Sequence, residues 1–132
     1  MRVSLIDHLG FLVSDLDSAA DGFRALGLEL DRTERYGDEL DIAFLPCGET
    51  DVELLKPLVE EGVNAEDLAR HGPFIQHVAF RVDDLEAALA ELAGSGIEPL
   101  GEAPRPGAGG TTIAFLDPRR FGGILVELCQ QP

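Results

Sequence analysis

Ile6-Asp7-His8-Leu9-Gly10-Phe11-Leu12-Val13 returns later in the chain as Ile75-Gln76-His77-Val78-Ala79-Phe80-Arg81-Val82, with Ile, His, Phe and Val at matching places. The match runs on without a gap: Asp15-Leu16 meets Asp84-Leu85, Ala19 meets Ala88, and Gly27 meets Gly96. Both opening stretches are apolar-rich, as in a buried strand. Leu16, Ala19, Ala20 and Phe23 then fall on one face of a helix, and Leu85, Ala88, Leu89 and Leu92 have the same spacing. Ser14 with Asp17, and Asp83 with Glu86, place a capping oxygen three residues before a carboxylate. Gly27 and Gly96 stand where a helix ends in a left-handed residue.

The later parts of the two halves also match. Ile42-Ala43-Phe44-Leu45 recurs as Ile113-Ala114-Phe115-Leu116, and Val52-Glu53-Leu54 as Val126-Glu127-Leu128. Each half therefore reads strand, helix, strand, strand, strand. Module 1 is expected over about 4–58 and module 2 over about 74–130, in a single domain spanning 1–132. The connection, residues 59–73, is expected to hold a short helix from Asn64 to His71. The implied fold class is α+β: two βαβββ modules forming a curved mixed sheet around a metal site.

The chain has 132 residues, enough for one compact core. Folding at that length buries roughly two thirds of the extended surface, so disulfide staples are unnecessary. Net charge is −15, with one lysine and nine arginines, which argues against general nucleic-acid binding. No secretory leader pattern opens the sequence and no apolar run approaches the roughly 20 residues of a membrane span. A cytoplasmic protein is expected. Cys47 and Cys129, the only cysteines, are expected to be reduced, partly buried thiols.

Each half places a His on its first strand and a Glu on its last. Strand alternation puts every second residue on one face, and His8, Glu53, His77 and Glu127 would all face inward if each module curls into a trough. A carboxylate in an otherwise apolar strand is costly unless paired, hydrated or bound to a cation. Two imidazoles with two carboxylates suit a borderline-hard divalent ion, Co²⁺ foremost, or Ni²⁺, Zn²⁺, Mn²⁺ or Fe²⁺. His71 has no counterpart in the other half and reads as a surface residue.

These residues resemble the vicinal oxygen chelate superfamily (glyoxalase, bleomycin resistance, dioxygenase), and within it the methylmalonyl-CoA epimerase family. The likeness covers nearly the whole chain. Its more specific parts are Pro104-Arg105-Pro106-Gly107-Ala108-Gly109-Gly110 and Phe121-Gly122-Gly123 leading into the last strand. The family's metal positions fall on His8, Glu53, His77 and Glu127. The resemblance implies interconversion of the (2R) and (2S) forms of methylmalonyl-CoA, by proton removal and return through a metal-stabilised enolate. Glu127 is the expected base on one face and Asp41 on the other. Arg105, Gly109 and Arg119 are expected to contact an acyl-CoA substrate, and a homodimer is implied. The sequence departs from the family's frequent residues at Gln76 and at Asp117. Two other readings share these residues: a glyoxalase I-type lactoylglutathione lyase, and a metal-free small-molecule binding protein of the resistance type.

Overall fold

The computed structural model describes all 132 residues. Eight strands and three helices follow one another as β1 (Ile6–Leu12), α1 (Leu16–Ala25), β2 (Arg32–Tyr36), β3 (Leu40–Cys47), β4 (Thr50–Pro57), α2 (Val63–His71), β5 (Phe74–Arg81), α3 (Leu85–Gly94), β6 (Arg105–Pro106), β7 (Thr112–Phe115) and β8 (Leu125–Gln130). Two compact units result, one of residues His8–Gln76 and one of Met1–Asp7 together with His77–Pro132.

In the first unit β1 lies parallel to β4, while β3 is antiparallel to both β4 and β2. One face of this sheet meets α1. Ala43, Leu45, Val52 and Leu54 are buried there against Ala20, with Leu16, Ala19 and Phe23 completing the layer. The second unit repeats the scheme. β5 is parallel to β8, and β7 is antiparallel to β8 and to the short β6. Ala114, Leu116, Val126 and Leu128 pack there with Leu85 and Ala88 of α3, and Leu89 and Leu92 lie alongside. The helical spacing seen in the sequence is thus the stripe that each helix turns onto its own sheet.

The caps differ from expectation by one residue. Asp15 accepts from the Ser18 amide and Asp84 from the Ala87 amide, both in extended backbone conformation. Serine and aspartate at 14 and 15 are both good caps, so spacing alone did not choose between them. Gly27 (φ 97°) and Gly96 (φ 75°) are left-handed, as the helix ends required. The connecting helix starts one residue early, at Val63. No helix is long and apolar enough to cross a membrane.

The second unit is completed by the beginning of the chain. The Arg81 amide donates to the Leu5 carbonyl at 3.1 Å. Asp7, only 3 % exposed, accepts from Arg81 Nε at 2.9 Å and from Gln131 Nε2 at 2.7 Å. A buried carboxylate needs such donors, because an ion taken out of water unpaired is expensive.

Loss of the observed cap should be measurable. Asp15→Ala is expected to cost about 1 kcal/mol, lowering Tm by about 4 °C in a domain of this size. Ser14→Ala should leave urea and thermal midpoints unchanged. The opposite result would return the cap to Ser14.

Candidate active site

β4 carries its glutamate between apolar neighbours. Val52, Glu53, Leu54 and Leu55 are all buried. Unbroken pairing of β3 with β4 sets Phe44 opposite Glu53 and Ile42 opposite Leu55. On the other side Gly10 of β1 stands opposite Glu53. His8 is two residues from Gly10 and so shares the Glu53 face. With only hydrogen at Gly10, the Glu53 side chain has room to lean toward His8. Its Oε2 lies 3.1 Å from His8 Nδ1, and both side chains are at least nine-tenths buried.

The second unit builds the same pair. Ala79 of β5 and Phe115 of β7 flank Glu127 of β8. Glu127 Oε2 lies 3.3 Å from His77 Nε2, with side chains 4 % and 6 % exposed. Phe115 and the His77 ring pack T-shaped, centroids 5.4 Å apart and planes at 87°, a contact that helps to fix the imidazole plane. Gly10 and Ala79 occupy matching places in the repeat, a small residue opposite each glutamate. The sequence displayed this signal, and its meaning depends on strand register.

His8, His77 and Glu127 are buried groups with metal-ligating atoms, and Glu53 completes the second His–Glu pair. Donors bound at right angles, each about 2.1 Å from one ion, stand about 3 Å apart. The 3.1 and 3.3 Å separations within the two pairs match that spacing. The donors therefore fit a divalent cation, both in chemistry and in spacing within each pair.

Asp41 does not join this set. In β3 it alternates with Ile42 and Phe44, and its register partners are Lys56 and Arg35. It therefore lies on the face opposite Glu53. Its carboxylate accepts from Arg35 Nε at 3.0 Å, and that hydrogen bond holds the Arg35 guanidinium above its ordinary pKa.

Gly109 (φ 69°) and Gly110 (φ 75°) turn the backbone left-handed in a short 3-10 turn, Ala108–Gly110, just before β7. The Gly107 amide donates to the Thr111 carbonyl, and Thr111 Oγ1 donates to the Ala108 carbonyl at 2.8 Å. A Cβ on Gly107 would collide with Thr111 Oγ1 and the Ile113 side chain. The turn is thus closed by its own hydrogen bonds. Arg105 sits at its edge in β6, opposite Ile113. Arg119 lies elsewhere, in the turn Pro118–Phe121, where Nη2 donates to Asp117 Oδ2 at 2.6 Å. This bond holds the Asp117 carboxyl below its usual range.

Gln76, at the family's frequent His position, gives its amide to Asn64 Oδ1 and Asp67 Oδ2 of α2. His71 is exposed, stacked near Phe74. The cysteines are both free but not alike: Cys47 is exposed and Cys129 is 1 % exposed inside β8. Burial first, then the charges of Asp7 and Glu127, push the Cys129 thiol up.

The likeness to known proteins agrees with this architecture. A family model for the glyoxalase/bleomycin resistance protein/dioxygenase superfamily matches residues 7–115. The chain belongs to that superfamily. An ethylmalonyl-CoA/methylmalonyl-CoA epimerase of Cereibacter sphaeroides is 34 % identical over 132 aligned residues, covering 97 % of this chain and 98 % of that one. The crystal structure of methylmalonyl-CoA epimerase from Mycobacterium tuberculosis superposes with a TM-score of 0.92 at 34 % identity, covering 98 % of this chain and 89 % of that one. A methylmalonyl-CoA epimerase solved in complex with methylmalonyl-CoA and NH4+ also gives 0.92, at 31 % identity, covering 98 % of this chain and 96 % of that one.

The two thiols should separate cleanly by reactivity. In the folded protein at pH 8, a disulfide reagent is expected to titrate Cys47 quickly and Cys129 only after denaturant is added. Two fast thiols in the native state would contradict the burial of β8.

Proposed function

We propose that the protein is a metal-dependent epimerase acting on the carbon between the thioester and the carboxylate of methylmalonyl-CoA. The repeated, buried His–Glu pair carries this reading: His8 with Glu53 in one unit, His77 with Glu127 in the other. The full-length similarity to named methylmalonyl-CoA epimerases supports the substrate.

His8, Glu53, His77 and Glu127 would hold one divalent cation, Co²⁺ or a neighbour of similar hardness. When bound, such an ion supplies a Lewis acid to the thioester oxygen and so makes the adjacent C–H more acidic.

Epimerisation makes a symmetrical demand on the protein. The product is the mirror arrangement at one carbon and must itself be a substrate for the return direction. One carboxylate must therefore take the proton from one face, and a second acid must return it to the other. Glu127 takes the first part. With Asp41 turned to the opposite face of its strand, the carboxylate equivalent to Glu127 in the repeat is Glu53, and it takes the second. Each carboxylate touches an imidazole and sits in an apolar strand, so little water competes for the proton. Arg105, with Gly109 in the turn beside it, receives the anionic groups of the acyl-CoA. Arg119, exposed and paired with Asp117, is a further candidate for those groups. The protein is read as a homodimer, as the family resemblance implies, and as cytoplasmic from its sequence.

Supplied with Co²⁺ in D₂O, the protein should wash the α-proton out of methylmalonyl-CoA, followed by NMR. Glu127→Gln and Glu53→Gln should each slow the interconversion of the (2R) and (2S) thioesters by at least about 100-fold, the usual contribution of a general acid or base. Asp41→Asn should stay within a factor of about two. Equilibrium dialysis should find one cation per chain, lost in either His8→Ala or His77→Ala. Two cations per chain, each lost with only one His, would overturn the single-centre assignment. Epimerisation unaffected by Glu127→Gln would overturn the chemistry.

A further inference from the structure

The duplication extends beyond the two His–Glu pairs. Across the first sheet Arg32 faces Phe44, and Phe44 faces Glu53. The Arg32 guanidinium carbon stands 3.8 Å from the Phe44 ring centroid. In the second unit Phe115 faces Glu127. Arg105 faces Ile113, two residues from Phe115 on the same side of β7, and its guanidinium carbon is 5.3 Å from the Phe115 ring. Each unit thus sets a row of Arg, Phe and Glu along one face, with the arginine directly across from the ring in the first unit and displaced along the strand by two residues in the second. Arg105 was expected at the site from its sequence context. Arg32 was not.

Charge makes this row informative. A chain of net charge −15 repels an acyl-CoA at long range, so affinity for its phosphates and carboxylate must come from local cations. In the first unit Lys56 and Arg35 lie opposite Asp41, on the other face of the sheet from Glu53. Among the strand positions of the Glu53 face, Arg32 is the only lysine or arginine. Its ring platform is firm, because Phe44 is 3 % exposed. A guanidinium lying over an aromatic ring is held in plane while its N–H groups still point outward at the edge. Arg32 also lies near Asp31 at 3.2 Å and Glu34 at 3.6 Å. With its side chain 44 % exposed, those pairs are screened by water and weak. An incoming oxyanion can displace them.

We propose that Arg32 is a specificity-determining residue of the epimerase site, donating to an anionic oxygen of the acyl-CoA. This rests on the epimerase reading above and extends it to the first unit. Two groups share that chemistry, the substrate's free carboxylate and the phosphates of CoA, and a planar bidentate donor suits either.

The test uses Arg32→Ala and Arg32→Gln with methylmalonyl-CoA as substrate and propionyl-CoA, which lacks the carboxylate, as a binding probe. KM for methylmalonyl-CoA should rise at least tenfold in both variants, with kcat within a factor of about three, since uniform binding is lost and chemistry is not. Arg32→Lys should recover part of the loss, because it restores charge without the planar fork. If the contact is to the carboxylate, Kd for propionyl-CoA will not move. If it is to a phosphate, that Kd will rise in step with KM. Thermal melting checks the fold, and Arg32→Gln keeps the aliphatic stem and a polar end should the alanine variant fail to fold. An active wild type with KM and Kd indifferent to both substitutions would sink this inference alone. A wild type inert toward both thioesters would sink it together with the epimerase reading.

Discussion

Burying a carboxylate in an apolar strand is the constraint that the rest of this structure answers. After relaxation, an unpaired ion still costs several kcal/mol, and besides Asp7, which two side-chain donors hold, the chain does this at Glu53 and Glu127. A typical domain is stable by only about 5–15 kcal/mol, so two uncompensated carboxylates would consume much of that margin. The local sequence is organised around avoiding it. Each glutamate meets an imidazole, each has a small residue opposite on the parallel strand, and each has a phenylalanine opposite on the antiparallel one. Compensation by a single imidazole is only partial. That is why each His–Glu pair suits a cation as well as a structural role.

Duplication made most of the fold legible in the sequence. A strand, a helical stripe and a terminal glycine, read once, are weak signals. Read twice in a fixed register they identify the elements, and the two helices pack as their spacing indicated. The two His–Glu pairs were legible by the same logic, because a His and a Glu recur at equivalent places.

What stayed hidden was whatever depends on facing. Asp41 sits one residue from Ile42, and along a strand a one-residue step reverses the side of the sheet. Which of the two faces Glu53 is set by the pairing that runs from Leu40–Pro57 to Cys47–Thr50, and no local pattern in Leu40-Asp41-Ile42 announces it. Arg32 was hidden for another reason. Arg32-Thr33-Glu34-Arg35-Tyr36 is polar at most positions, so periodicity does not mark it as a strand or pick out the residue that stacks on Phe44. The bonds from Arg81 and Gln131 to Asp7 join residues far apart in sequence, where spacing carries no information. Charge shows the same limit: a composition of −15 describes the mean field and says nothing of two arginines placed over two rings.

The bonds to Asp7 have a consequence for how the protein is made. Asp7 accepts from residues 74 and 124 positions further along the chain. During synthesis Asp7 leaves the ribosome long before Arg81, and longer still before Gln131. Residues His8–Gln76 can gather around their own sheet as they emerge, whereas the second unit can be sealed only when the final strand arrives. Contacts of such long range are slow to close, and a truncated product ending before Gln131 would leave a buried acid short of one donor. The ordering of the nascent chain, early for one unit and obligatorily late for the other, is thus written into a single aspartate beside the first histidine.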